Sequence, residues 1–274
     1  MQLKLSLVLA LGLTSALSTS LSAQSTKDGA ITPRILEALR KSESKSPSEQ
    51  ALHNAIALQG MKDFFVNPKR PRELEDKFSI EVKSQGITDQ KQSGRCWLFT
   101  GLNVLRAQLM AREQSGKFFF SQNYGFFWDQ LEKANLFLEG IIETRKASDE
   151  DKKVEWLFKY PLSDGGQFTG ISDILSKYGV VPAEIMPETA SSNDTRLMGQ
   201  IITRTLRQTG MALRKAAAKG ESLAQLRQRK ETCLKQVYRI LSLNLGEPPT
   251  SFSYTLRNAK GEAISTDTYT PQSF

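Results

Sequence analysis

Apolar residues fall into a clear helical period over residues 96–112. Leu98, Leu102, Leu105 and Leu109 are spaced by four, three and four, which is one face of an amphipathic helix. Ser93 and Gly94 ahead of it are residue types that cap helices, and Ser115-Gly116 closes it. Residues 122–143, with Trp128, Leu131, Asn135, Leu138 and Ile142 on one side, predict a long helix. Ser148-Asp149-Glu150-Asp151 starts another, faced by Val154, Leu157 and Phe158 and stopped by Pro161. A glycine loop at residues 163–168 precedes a short helix over 171–178 that ends at Gly179. Residues 195–218 and 221–243 predict two helices parted by Lys219-Gly220. The second lines up Leu223, Leu226, Cys233, Leu234, Val237 and Leu241, which makes Cys233 a core residue. Upstream, residues 31–39 and 49–59 read as short helices, the latter carrying His53 and ending at Gly60.

Strand signals are few. Residues 77–83 alternate apolar and polar side chains like a half-buried strand. Residues 252–256 read as a strand entering a turn at Asn258-Ala259-Lys260-Gly261, after which the chain reaches Phe274 with no closing element expected.

At 274 residues the chain suits one large domain or two smaller ones, and 39% hydrophobic with 24% charged residues is ordinary for a globular protein. Lys4, an apolar run over residues 5–17 and small residues up to Ala23 predict a signal peptide over 1–23 and a secreted or periplasmic mature protein. Two cysteines do not build a disulfide framework, and Cys96 is expected to be a free thiol. The net charge of +8 concentrates in residues 196–230, where nine Lys or Arg face a single acid, Glu221. Nucleic acid or another acidic surface is one partner for such a stretch. Solvated helix faces or a basic lining inside an oligomer are the others, and no stacking aromatics interleave the charges.

Chemistry concentrates in residues 89–99, Asp-Gln-Lys-Gln-Ser-Gly-Arg-Cys-Trp-Leu-Phe. A cysteine in the first turn of a helix has its thiolate stabilised by unpaired N–H groups and the helix dipole, and Arg95 is placed to add to that field. Attack by a thiolate on an amide carbonyl builds charge on oxygen that needs fixed donors. The Cys96 N–H and the side-chain amide of Gln90, six residues upstream, are candidates for that task. A buried structural cysteine is the alternative. The single histidine, His53, lies upstream with nothing near it that suggests a base or a metal site.

Gln90, Gly94, Cys96 and Trp97 stand at the Gln-x3-Gly-x-Cys-Trp spacing that resembles the papain-like cysteine peptidases, and the fuller run resembles their bleomycin hydrolase and aminopeptidase C branch. Asp164-Gly165-Gly166-Gln167-Phe168, Lys177-Tyr178-Gly179-Val180-Val181-Pro182, Pro187-Glu188-Thr189 with Ser191-Ser192-Asn193, and Leu245-Gly246-Glu247-Pro248-Pro249 agree with that branch in chain order. The resemblance implies an α+β fold: a papain-like helical lobe with a helical insertion, the β-rich second lobe largely missing. The corresponding domain division is 1–23 signal peptide, 24–63 helical extension, 64–193 helical lobe, 194–245 basic insertion and 246–274 start of the second lobe. It implies Cys96 as nucleophile and Gln90 as oxyanion-hole residue, with Gly94, Trp97, Asp164, Gly165 and Gly166 at the substrate. No cofactor and no metal are implied. Peptides are the implied substrates, trimmed from the N-terminus inside a homohexamer, and no membrane span is expected once the signal is removed.

The family's histidine base and its orienting asparagine lie far downstream on the second lobe, and no histidine follows Cys96 here. The expectation is therefore a cysteine aminopeptidase of which these residues are an incomplete, inactive fragment. The alternative is a non-catalytic assembly or nucleic-acid-binding protein that uses the basic helices.

Overall fold

Proline sets the start of the first two helices. The computed structural model describes residues 29–43, 46–64, 67, 69, 77–82, 86–113 and 115–274, and the leader expected over residues 1–23 lies outside them. Helix α1 runs Pro33–Ser42 and α2 Pro47–Gln59. Each begins on a proline whose missing N–H has no intrahelical role. The preceding Thr32 or Ser46 hydroxyl accepts from the N–H of Ile35 or Glu49 at 3.3 Å. Gly60, at φ 82°, ends α2, and a 3-10 turn follows at Met61–Phe64. These elements belong to a first unit, Met1–Phe78, distinct from a second, Ser79–Phe274. His53 is exposed on α2.

The strand expected over 77–83 is not formed. Residues 77–82 are irregular and exposed, with Phe78, Ile80 and Val82 all at the surface, and Lys83 lies outside the described residues. Alternation makes a strand only where a partner edge takes up its N–H and C=O groups, and among the described residues the one sheet is the two-stranded hairpin near residue 260.

The second unit is mostly helical: α3 Cys96–Glu113, α4 Gln122–Glu143, α5 Lys152–Lys159, α6 Phe168–Tyr178, α7 Ala190–Asn193, α8 Arg196–Ala218 and α9 Leu223–Leu245. Helix α4 is its centre and packs against α3, α5, α6, α8 and α9. It therefore buries more than the single face its spacing predicts: Phe126, Phe127, Ala134, Phe137, Leu138, Ile141 and Ile142 are all within the core. A stripe widens in this way when several neighbours cover one helix. Leu98 and Leu102 of α3 are buried and Leu105 and Leu109 half-buried, as their spacing predicts.

Helices α8 and α9 bury Met198, Ile202, Leu206, Leu213, Leu226, Cys233, Val237 and Leu241, and much of their positive charge is engaged. Arg207 donates to the carbonyls of Phe158 and Lys159, and Arg214 to those of Thr144 and Ala147 and to Asp149. Arg227 and Lys230 both reach Glu139, and Arg229 pairs with Glu221.

Strands β1 Phe252–Arg257 and β2 Ala263–Tyr269 form an antiparallel hairpin in the register Phe252↔Tyr269 and Tyr254↔Asp267, with a bulge at Leu256/Arg257. The closing element that the sequence pattern did not foretell is thus β2. Its mainly polar residues carry little pattern of their own, and pairing with β1 makes the strand. The hairpin docks through Phe274, whose ring lies 5.9 Å from Phe118, 5.5 Å from Phe252 and 5.2 Å from Tyr269. The fold is α+β, a helical body with one small sheet.

Candidate active site

Cys96 opens α3, exposed and unpaired with Cys233, which is buried. The N–H groups of Leu98 and Phe99 both donate to the carbonyl of Arg95 at 3.0 Å, so Arg95 stands at the helix's N-terminal boundary. The Cys96 N–H takes no partner among the described residues, which leaves it free for an incoming oxygen. Burial raises the Cys233 thiol pKa, and Cys96 is the exposed sulfur of the two.

The loop before α3 is held by its own polar groups. Asp89 accepts from the Lys91 N–H at 2.8 Å, and Lys91 adopts a left-handed φ of 54°. Gln90 is half-buried, and its side-chain nitrogen donates to the carbonyl of Ser93 at 2.6 Å. An amide nitrogen carries two hydrogens, so one N–H anchors Gln90 and one remains for an oxyanion. The Ser93 hydroxyl does not cap the helix as expected; it donates to the Gln90 carbonyl at 2.6 Å and accepts from Arg95 Nε at 2.9 Å.

Arg95 also departs from expectation. Its side chain is wholly buried, with Nη1 and Nη2 on the two oxygens of Glu188 at 3.1 and 2.8 Å and Phe99 and Phe126 stacked about 5 Å away. A charge neutralised in this fork adds little field at the thiol. Its contacts hold the loop instead.

Two more contacts fasten the same loop to distant chain, and a third fixes one of its partners. The Gln92 N–H donates to the Asn193 carbonyl at 2.9 Å. The Gly94 N–H donates to Asp164 Oδ2 at 2.7 Å, and the Thr195 hydroxyl donates to that same oxygen at 2.7 Å. A Cβ on Gly94 would lie 2.5 Å from the Asp164 carboxylate, so glycine is what permits the approach. Burial works to raise the Asp164 pKa, but these hydrogen bonds outweigh it and hold the group below its ordinary value.

The two glycines expected at the substrate differ. Gly165 directs its N–H at the Ser163 hydroxyl, 3.1 Å away, and its carbonyl at Lys133 Nζ, 2.6 Å away. Gly166 is exposed, and its main chain takes no hydrogen bond among the described residues. Its missing side chain is filled by Trp97, whose ring would sit 2.6 Å from a Cβ there. Trp97 in turn donates its indole N–H to the Asp164 carbonyl at 3.0 Å. An extended peptide lying along Gly166 can therefore pair with free backbone beside Cys96's own helix turn.

Thus Gly94, Trp97, Asp164, Gly165 and Gly166 are linked by contacts within the second unit, and Gln90 and Cys96 stand beside them on the same loop and helix turn. Glu188, Thr195 and Lys133 complete the set and were not singled out by sequence reasoning. Glu188 lies within a segment quoted for the resemblance, yet its partner stands 93 residues away, and spacing does not reveal such a pairing. Among the described residues no group of His, Cys, Asp and Glu is arranged to hold a metal ion.

A family model described as the Peptidase C1-like family matches residues 30–274. The chain is 35% identical over 231 residues to an aminopeptidase C of Lactobacillus delbrueckii subsp. lactis, covering 84% of this chain and 51% of that protein. It is 37% identical over 239 residues to an aminopeptidase C of Listeria monocytogenes, covering 87% and 54%. The structure is similar to the crystal structure of PepW from Lactobacillus rhamnosis, with a TM-score of 0.84 and 35% identity over 90% of this chain and 55% of that one. The chain spans about half the length of the curated relatives it matches.

Proposed function

The chain belongs to the Peptidase C1-like family, and on that premise we propose that it is the nucleophile-bearing part of a cysteine aminopeptidase. The observation that carries the reading is the exposed, unpaired Cys96 in the first turn of α3, with a free N–H of its own and an anchored Gln90 amide in the preceding loop.

The sulfur of Cys96 forms a bond to the scissile carbonyl carbon while the carbonyl π pair moves to oxygen, and the Cys96 N–H and the Gln90 amide receive that charge. Collapse of the adduct expels the peptide's amine, which must gain a proton, and leaves an acyl-enzyme for water to cleave. Peptides are the substrates, and the backbone of Gly166 aligns them. The proton transfers need a general base and acid. The single histidine in these 274 residues is His53, which matches no part of the family's motif. We therefore expect these 274 residues on their own to be inactive, the base being supplied from outside them. Removing one member of such a catalytic group leaves only residual rate.

Turnover of an aminopeptidyl amide by the 274-residue chain, with Cys96→Ala as control, tests this. The expected result is no Cys96-dependent release; an ordinary enzymatic rate that vanishes in Cys96→Ala would refute the division of labour. We place the mature protein in the secreted or periplasmic space on the strength of the apolar leader in residues 1–23, and infer that the assembled enzyme is a homohexamer, as the family resemblance implies. An assembly or nucleic-acid-binding role for the basic helices is the weaker reading, because Arg207, Arg214, Arg227, Arg229 and Lys230 already have intramolecular partners.

A further inference from the structure

We propose that Glu188 and Arg95 are positioning residues that act on Gln90 through the hydroxyl of Ser93. The inference rests on the reading of Gln90 as an oxyanion donor and goes beyond it by saying what aims that amide.

The chain of contacts has one direction. A guanidinium can only donate, so Arg95 Nε must be the donor to Ser93 Oγ at 2.9 Å. With that lone pair engaged, the Ser93 proton turns to the Gln90 carbonyl, 2.6 Å away. The Ser93 carbonyl then receives the Gln90 side-chain nitrogen at 2.6 Å, so Ser93 grips Gln90 at both its main chain and its side chain. Arg95 is held at the other end by the two-pronged contact to Glu188. Glu188 is itself fixed by the Ser192 hydroxyl at 2.7 Å, and Ser192 is seated by its reciprocal capping contacts with Thr189 at the start of α7.

The burial of Arg95 makes this an aligned device and not a surface ion pair. Its side chain is 0% exposed and wedged between Phe99 and Phe126, so the guanidinium has one orientation available. A donor that must meet charge forming on oxygen works only if fixed beforehand, and a shift of about 1 Å can cost on the order of a hundredfold in rate.

The test uses the full 274-residue chain and two probes of Cys96. A peptidyl aldehyde accepts the thiol across its C=O bond: sulfur bonds to carbon, and the thiol proton ends on the carbonyl oxygen, which draws on the Gln90 amide. Iodoacetamide is attacked at saturated carbon, with iodide leaving, and develops no such oxygen charge. Ser93→Ala and Glu188→Gln are expected to weaken aldehyde binding about tenfold or more while changing the iodoacetamide rate by less than about twofold; Ser93→Thr, which keeps the hydroxyl, restores binding. If the wild-type chain fails to bind the aldehyde, or Gln90→Ala binds it equally well, the oxyanion reading of Gln90 is lost and the inference with it. If Gln90→Ala weakens binding but Ser93→Ala does not, the positioning role alone is overturned. Ser93→Ala leaves the Arg95–Glu188 pair intact, so its outcome stands even where Glu188→Gln fails to fold.

Discussion

The indole N–H of Trp97 donates to the main-chain carbonyl of Asp164 at 3.0 Å, tying the turn that carries Cys96 to a loop 67 residues further along. The ring then occupies the place of a side chain at Gly166, where a Cβ would come within 2.6 Å of it. Gly166→Ala is expected to destabilise the fold by about 1–3 kcal/mol, the usual cost of overpacking. At Gly165 the nearest atom would be the Ser163 hydroxyl at 3.4 Å, so Gly165→Ala should stay within about 0.5 kcal/mol of the wild type. Urea denaturation of the pair decides it: equal midpoints would mean that the Trp97 contact does not restrict this loop.

Asp164 makes the site acid-sensitive. Its pKa is held below the ordinary 3.8, the hydrogen bonds from Gly94 and Thr195 prevailing over burial. A depressed carboxylate contributes stability in full well above its unfolded value, less as the pH falls below it, and none once the pH passes the folded value. Asp129 has the opposite sign: burial raises its pKa, so the native chain holds that proton at a pH where the unfolded chain has lost it. Asp164→Asn should therefore be less stable than wild type at neutral pH, with the gap closing on acidification through and below the ordinary carboxylate value. A gap that stays constant with pH in urea titrations would assign the loss to shape and not to charge.

Lys133 is the brace behind the glycine loop, donating to the carbonyls of Ser163 and Gly165 and to Asp129 at 2.9, 2.6 and 2.7 Å. The Asp129 side chain is only 8% exposed, so Lys133→Met would strand a buried carboxylate. We expect a loss of about 2–4 kcal/mol, with Lys133→Met/Asp129→Asn recovering about 1–2 kcal/mol of it because the stranded charge is gone. Denaturation of the single and double variants checks this; no recovery in the double would show that the carbonyl contacts, and not the charge, carry the effect.

Phe274 should hold the hairpin. Its ring meets those of Phe118, Phe252, Tyr254 and Tyr269 at centroid distances of 5.9, 5.5, 5.6 and 5.2 Å. Phe274→Ala is expected to cost about 3 kcal/mol and to raise amide exchange in β1 and β2 ahead of α4. Unchanged protection of the hairpin would place its anchor elsewhere.

What the sequence determined by itself is whatever neighbouring residues decide among themselves. The helical period marked α4 at residues 122–143, the same bounds as the folded helix, because burial at three- and four-residue spacing is a local property. Gln90 and Cys96 were legible for the same reason, since a loop and one helix turn hold them, while Gly94 and Trp97 were legible through the family resemblance. The tertiary structure decided what depends on partners far along the chain. The alternating residues at 77–82 found no paired edge and stay irregular, while the polar residues of β2 became a strand because β1 was beside them. Arg95 lost its expected part in the thiol's field to Glu188, and Ser93 left the helix cap to hold Gln90. For Arg95 an ion pair across 93 residues outweighed a local preference, and no period or spacing announces such a contact before the chain folds. For Ser93 the partner is only three residues away, but its orientation follows from the buried Arg95 that donates to it. The sequence thus marked Cys96 as the proposed nucleophile and Gln90 as its proposed donor, and only the fold revealed what holds Gln90 in place.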